Sequence, residues 1–169
     1  MALLKVVNVS QIFTDEVRRA AMDAPSKHVV SKGRGPGSLE GEDTAGLDYN
    51  VATGLDMPLV VQNAVETVRV MVSGMVGTVR LDDDPHARIN VNRLGVGQRY
   101  ERHVDGNPIT LLIFLNDDFE GGHLMASGLR FAPKLGAAIL FEGWTIPHEV
   151  AEVTKGERFT LPLNLYPDG

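Results

Sequence analysis

Two histidines and an aspartate carry the strongest chemical signal in this sequence. His103-Val104-Asp105 sets an imidazole and a carboxylate two residues apart. On a strand, that spacing points both side chains to one face, roughly 6.5 Å apart along the chain. His-x-Asp alone is a weak pattern that arises often by chance, and Asp105 could equally be a turn former ahead of Gly106-Asn107-Pro108. A third donor stands in Ile146-Pro147-His148-Glu149-Val150, where His148 opens an expected strand behind a proline. In a β-sandwich, strands far apart in sequence face each other across the interior. Two imidazoles and one carboxylate on one side of a metal leave the opposite positions open, the facial arrangement that suits Fe(II) and dioxygen. We therefore expect His103, Asp105 and His148 to bind a metal ion.

A fourth residue extends the pattern. Arg158 follows His148 by ten residues, and strand alternation puts Thr160 on its face. A buried arginine needs an anionic partner. The far carboxylate of 2-oxoglutarate would supply one through a bidentate pair, with Thr160 assisting. An exposed strand position is the plain alternative for Arg158. Tyr100, three residues before His103, is expected to be half-buried and is a candidate for the pocket lining. Trp144, the only tryptophan, lies in the loop before His148 and either shields the metal, contacts substrate or packs in the core. Arg88, Arg93, Arg99 and Arg102 fall in one short stretch that could favour an anionic substrate, with Arg102 nearest the metal motif. Solvated strand positions are the plainer reading of the four. His28, His86 and His123 read as structural, and Asp82-Asp83-Asp84 before Pro85 reads as a solvated turn.

The elements that must position these residues divide the chain. Phe13 to Met22 suggests a short helix, with Thr14 as N-cap and Asp15 and Glu16 suited to its N-terminus. Ser31 to Asn50 is rich in Gly, Ser and acids and reads as a long loop, a candidate lid over the site. Pro58 suits a first helical position, and Val61, Val65, Val68, Val72 and Met75 behind it form one apolar helix face. Valine lowers helix propensity, so packing must hold that helix. After Arg80, short aliphatic segments separated by turn residues cover Ile89–Leu94, Ile109–Leu115, Ala137–Phe141, Glu149–Val153 and Phe159–Leu165. Such a series indicates an all-β sandwich or barrel. The layout is a single domain over residues 1–169, with 1–80 as helical support and loop and 81–169 as the catalytic β core.

Bulk composition sets the outer limits. The chain has 169 residues, 43% apolar and 22% charged, an ordinary globular balance for one domain. With no cysteine there is no disulfide, zinc-thiolate site or thiol nucleophile. Charge interrupts the opening Met1-Ala2-Leu3-Leu4-Lys5 too early for a signal peptide, and no run approaches the roughly 18 consecutive apolar residues of a membrane span. A cytoplasmic protein with no membrane partner is the expectation. The net charge of −6 lacks the basic surplus that a grip on nucleic-acid backbone usually brings, so no nucleic-acid partner is expected.

From Ile89 to Tyr166 the sequence resembles the core of prolyl 4-hydroxylase-like Fe(II)/2-oxoglutarate oxygenases. The matching runs are Gly97-Gln98-Arg99-Tyr100-Glu101-Arg102-His103-Val104-Asp105 and Thr110-Leu111-Leu112-Ile113-Phe114-Leu115-Asn116-Asp117-Asp118. They continue through Glu120-Gly121-Gly122, Pro133-Lys134-Leu135-Gly136, Leu140-Phe141, Pro147-His148-Glu149-Val150 and Gly156-Glu157-Arg158. The resemblance implies a mainly β fold with supporting helices, built on a double-stranded β-helix (jelly-roll, cupin-like) core. It implies Fe(II) on His103, Asp105 and His148, the distal carboxylate of 2-oxoglutarate on Arg158, and Thr110 lining that pocket. Dioxygen is the other cosubstrate, with ascorbate an optional reductant. The implied activity is hydroxylation with release of succinate and CO2, on a polypeptide side chain such as prolyl or on a small amino-acid-like metabolite. Two tyrosines common in the family are replaced by Leu94 and Phe114, so two donors to 2-oxoglutarate are missing. Asp105 argues against a halogenase, which gives up the carboxylate ligand. The rivals are a non-redox metal enzyme such as an isomerase, against which Arg158 speaks, and a non-catalytic binding module, against which the intact triad speaks.

Overall fold

A computed structural model describes residues 3–24, 29–31, 47–53, 57–85 and 88–168. Its elements run β1 (Leu4–Asn8), α1 (Asp15–Met22), β2 (Val29–Ser31), β3 (Leu47–Thr53), α2 (Leu59–Val76) and β4 (Val79–Arg80). There follow β5 (Asn90–Leu94), β6 (Tyr100–His103), β7 (Ile109–Phe114), β8 (Glu120–Gly121), β9 (Leu124–Ala126) and β10 (Leu129–Phe131). The series closes with β11 (Ala137–Phe141), β12 (His148–Val150), β13 (Val153–Lys155) and β14 (Arg158–Pro167).

Both expected helices form. In α1 the Thr14 hydroxyl accepts the Val17 N–H, with Asp15 and Glu16 in the first turn; Val17 and Ala21, one turn apart, are buried. In α2, Pro58 is the N-cap rather than the first helical residue: its ψ of 149° is extended, while its carbonyl accepts from Val61 and Gln62. Val61, Val65, Val68 and Val72 form the buried stripe, but Met75, in the last turn, is 39% exposed. Gly77, at φ 95°, ends the helix in a conformation that favours glycine. By length and mean hydropathy (1.2) α2 also meets the count for crossing a membrane. Here its valine face belongs to the protein core.

The first 80 residues are more than helical support. β1 pairs antiparallel with β11, β2 pairs with β3, β3 pairs with β5 and β4 pairs with β14, so four described strands of the main sheet come from this region. The long loop expected over Ser31–Asn50 is bounded by these strands; Leu47–Asn50 is strand, and residues 32–46, with the lid expectation, lie outside the described residues. His28 and His86 do too. The expected strand Glu149–Val153 is two short ones. Ala151 donates its N–H to His123 O, after which β13 leaves to pair with β8.

The main sheet runs β1-β11-β7-β14-β5-β3-β2, with β4 attached to β14. A second sheet, β10-β9-β12-β6, completes a double-stranded β-helix, and a two-stranded ribbon pairs β13 with β8. All pairings among the described residues are antiparallel. The central strands of the main sheet are buried on both faces, which is why β7 shows no polar alternation. On β7, Ile109, Leu111 and Ile113, with Leu115 just past its end, pack with the two helices, while Leu112 and Phe114 face the second sheet. β11 repeats the division, with Ala138 and Leu140 on the helix side and Ile139 and Phe141 inside. On β14, Leu161, Leu163 and Leu165 face the helices, which leaves Arg158 and Thr160 to the interior. The helices cover one face of the main sheet so that the other can hold a site.

Leu111, fully buried on β7 beneath the helices, tests this division. Leu111→Ala should cost about 2–5 kcal/mol of stability by urea unfolding, with metal affinity of the folded protein unchanged because the side chain points away from the site.

Candidate functional site

His103 ends β6, and Asp105 lies two residues past that end, so the pair does not share a strand as its spacing alone suggested. The geometry is set by three other features. His148 stands directly opposite His103 in the β12–β6 register. Between His148↔His103 and Val150↔Tyr100 the register slips, so Glu101 and Arg102 together oppose Glu149. This bulge brings Tyr100 and His103 to one face although they are three residues apart, with ring centroids 6.4 Å from each other. Asp105 is then drawn in by the donation of its N–H to the Gly143 carbonyl (2.8 Å).

The three ligand atoms converge. Asp105 Oδ1 lies 3.1 Å from His148 Nε2 and 3.4 Å from His103 Nε2, and all three atoms fall within 4.8 Å of one another. Two ligand atoms at right angles on one small divalent ion about 2.1 Å away sit about 3 Å apart, so the spacing fits a metal. The second nitrogen of each ring is committed. His103 Nδ1 donates to the Glu101 carbonyl (2.6 Å) and His148 Nδ1 to the Ile146 carbonyl (2.8 Å). A carbonyl can only accept, so each neutral ring carries its hydrogen on Nδ1 and turns the Nε2 lone pair toward Asp105. Three lone-pair donors aimed at one point call for a cation or a proton between them. Consistent with this, burial disfavours charge on His103, yet Asp105 and the Glu101 carbonyl outweigh it and raise its pKa. Burial also opposes charge on Asp105, but His103, His148 and the Thr110 hydroxyl hold its carboxyl far below the usual range.

Thr110, assigned by resemblance to the cosubstrate pocket, donates its hydroxyl to Asp105 Oδ2 (2.5 Å). Buried Asn107 donates in turn to Thr110 Oγ1 (3.0 Å) and to the Ile109 carbonyl (2.6 Å). Thr110 pairs with Asn164 on β14 and Phe114 with Thr160, so Thr110 lies about 13 Å along the sheet from Thr160. It belongs to the metal end.

At the other end, Arg158 is 1% exposed and Thr160 fully buried. Arg158 Nε donates to the Gly122 carbonyl (2.9 Å), and its guanidinium lies 5.7 Å from the Phe114 ring centroid. Arg158 Nη2 and Thr160 Oγ1 have no hydrogen-bond partner among the described residues. Burial pulls the arginine pKa down to about 10, partly offset by Tyr100. A buried cation beside an unpaired hydroxyl is costly unless an anion completes it, and one carboxylate would satisfy both. Leu94 stands opposite Arg158 and Phe114 opposite Thr160, so neither residue adds a donor.

Of the remaining candidates, Tyr100 is half-buried against the inner cluster and close enough to Arg158 to act on it electrostatically. Arg102 is exposed on the bulge. Trp144 is 56% exposed, which excludes core packing, and follows Gly143 directly. His123 lies within 3.3 Å of the Arg130 guanidinium; burial and then Arg130 and Arg158 lower its pKa. Two glycines allow close approach at the site. A Cβ on Gly143 would come within 2.5 Å of Thr110 Oγ1 and 2.9 Å of Asp105 Oδ2. One on Gly122 (φ +69°) would meet Arg158 Cδ at 2.8 Å. Gly122 sits in the Glu-Gly-Gly run, but nothing in the sequence marks Gly143.

An antiparallel double-stranded β-helix with two histidines and a carboxylate on its interior is an arrangement that suits a non-haem Fe(II) centre with open positions. Residues 89–166 match the 2OG-Fe(II) oxygenase superfamily. The family reaction couples oxidation of a substrate to that of 2-oxoglutarate, with Fe(II) and dioxygen. Among solved structures, the fold is similar to an oxidoreductase of the 2OG-Fe(II) oxygenase family from Burkholderia pseudomallei (TM-score 0.70, 16% identity, 96% of this chain and 84% of that one). It is similar to a Trichoplax adhaerens prolyl hydroxylase in complex with a hypoxia inducible factor peptide fragment (0.64, 17%, 96% and 83%). A Pseudomonas putida prolyl-4-hydroxylase also matches (0.61, 17%, 99% and 94%). No curated protein matches the chain in sequence.

The two glycines separate the two ends of the site. Gly143→Ala crowds Asp105 and Thr110 and should weaken metal binding by about tenfold or more while sparing the Arg158 end. Gly122→Ala should weaken 2-oxoglutarate binding with metal affinity kept. Calorimetric titration of each variant with Co(II), then with 2-oxoglutarate, checks both.

Proposed function

We propose that this protein is a hydroxylase that inserts oxygen into an unactivated C–H bond of a polypeptide side chain, prolyl foremost, or of a small amino-acid-like metabolite. The observation that carries the reading is the pairing of a complete His103-Asp105-His148 centre with Arg158 Nη2 and Thr160 Oγ1, both buried and unsatisfied. A non-redox metal enzyme has no use for that second, anion-seeking end. When bound, Fe(II) supplies the oxidising chemistry at the triad. His103, Asp105 and His148 fix it from one side. Thr110 and Asn107 hold the Asp105 carboxylate in orientation, and the two backbone carbonyls keep both imidazoles in the ligating tautomer. Arg158 and Thr160 bind and orient 2-oxoglutarate by its distal carboxylate. Leu94, Phe114 and Phe141 line an apolar interior that excludes water. Retention of Asp105 supports hydroxylation over halogenation. Exposed Trp144, next to the residue that anchors Asp105, supports a role in meeting the substrate. The peptide complex of the Trichoplax prolyl hydroxylase is an analogy for a polypeptide substrate. The cysteine-free sequence suits a reducing, cytoplasmic setting.

Succinate release from anaerobically reconstituted Fe(II) protein on admitting air, screened over prolyl peptides and free amino acids, tests the substrate. One class should raise succinate formation in step with a hydroxylated product. No stimulation by either class would sink this substrate assignment. Two variants test the roles. His148→Ala should lose the weak visible charge-transfer band that Fe(II) and 2-oxoglutarate give the wild type; a retained band removes His148 from the centre. Arg158→Ala should raise the half-saturating 2-oxoglutarate concentration about 10- to 100-fold, as expected for a loss of about 1.5–3 kcal/mol. Arg158→Lys, which keeps charge but not the fork, should be affected less. If Arg158→Ala consumes 2-oxoglutarate like the wild type, Arg158 is not its anchor; if the wild type itself consumes none, the non-redox reading moves ahead.

A further inference from the structure

One turn holds two of the three candidate ligands. Residues 142–146 connect β11 to Pro147 and His148, and the turn closes on itself by donation from Thr145 N and Ile146 N to the Glu142 carbonyl (3.3 and 3.0 Å). Its Gly143 carbonyl accepts the Asp105 N–H (2.8 Å), and its Ile146 carbonyl accepts His148 Nδ1–H (2.8 Å). The Gly143 N–H donates to the Pro108 carbonyl (3.0 Å), which ties the turn to the segment carrying Asp105. What fixes the turn is the half-buried side chain of Glu142. Glu142 Oε2 accepts the Leu3 N–H (3.1 Å) and the Thr145 hydroxyl (3.4 Å), while the Glu142 N–H donates to the Leu3 carbonyl (3.1 Å). Glu142 therefore clamps the turn to Leu3, the residue just before β1, 139 positions away in sequence.

We propose that Glu142 is a positioning residue for the metal centre: through the 142–146 turn it sets the separation of Asp105 and His148. The inference rests on the proposed metal role of those two residues. Fixing a short turn costs backbone entropy, and a carboxylate accepting a backbone N–H is among the stronger hydrogen bonds available to offset it. Without it, the Gly143 and Ile146 carbonyls keep their partners but move with a loosened turn, and the two ligands no longer share a fixed spacing. Trp144 rides on the same turn, so the clamp also sets how that indole is presented.

Titration of the full chain with Co(II), read by its visible absorption, tests the clamp, with melting temperature recorded in parallel. Glu142→Ala should weaken Co(II) binding about tenfold, the lower end of what losing an outer-shell partner costs. Glu142→Gln keeps an acceptor oxygen for Leu3 and should bind close to wild type, a rescue that bulk destabilisation would not give. Val7→Ala removes a buried β1 side chain that packs toward the helices; it should lower the melting temperature and leave Co(II) affinity alone. Wild-type affinity in Glu142→Ala, or an equal loss in Val7→Ala, overturns the proposal. If Glu142→Ala does not fold, Glu142→Asp decides, because its shorter arm cannot reach Leu3 and unchanged affinity there is equally fatal. A wild-type protein that binds no Co(II) would remove the metal centre itself, an outcome distinct from failure of the clamp alone.

Discussion

The rest of the site follows from one constraint, the burial of the Asp105 carboxylate between two imidazole nitrogens. A carboxylate removed from water must have each oxygen satisfied. One oxygen meets His103 and His148, and the other takes the Thr110 hydroxyl. That division decides the neighbourhood. Thr110 must face inward on β7, Asn107 must steady Thr110, and the backbone around Gly143 must come close enough that no side chain fits there. Each imidazole must give its Nδ1 hydrogen to a backbone carbonyl, which leaves three lone pairs directed at one point. Such an arrangement is stable with a proton or a cation in the middle and poor with neither, so affinity for a cation is built into the hydrogen bonding.

That constraint could be met only because the main sheet is buried on both faces. Strands β7, β11 and β14 give alternate residues to the helices and to the interior. The helix-side residues are uniformly aliphatic and hold the sheet together. This frees the interior positions of β14 for Arg158 and Thr160, two polar residues that lower the stability of an isolated interior. Pro162 fits the same logic. It has no N–H to donate, and it lies just past Thr160, where pairing of β14 with β5 ends.

Most of the chemistry was legible because it lies in side-chain types at fixed spacing. His103, Asp105, His148 and Arg158 can be picked out with no structure at all, as can the valine stripe of α2 and the cap at Thr14. Less legible were features that exist only once distant segments meet. The His-x-Asp pair reads as two residues on a strand, yet His103 ends β6 just after a bulge and Asp105 lies past that end, and a bulge leaves no periodic trace in four residues. β1 carries Lys5 and exposed Val6, so it lacks the alternation of a half-buried strand, and only its partner β11 makes it one. Likewise β3 continues a Gly-rich, acidic stretch whose composition argues for loop. Gly143 and the Ile146 carbonyl were invisible for a simpler reason: a backbone acceptor has no residue type.

The two ends of the interior differ in how they are supported, and the difference carries through to function. At the metal end every ligand has a second partner, from backbone carbonyls, Thr110 or the Gly143 carbonyl, so geometry there is over-determined. At the Arg158 end the guanidinium has one backbone acceptor, Gly122, and an aromatic face, while Leu94 and Phe114 offer only apolar surface. Apolar walls raise the cost of leaving the arginine unpaired, and they equally strengthen its attraction for an anion that excludes water. Binding of 2-oxoglutarate would thus lean on one charged residue set in an apolar pocket instead of on several shared donors. In such a pocket the fork geometry of Arg158, fixed from behind by Gly122, would decide how the cosubstrate is presented to the metal.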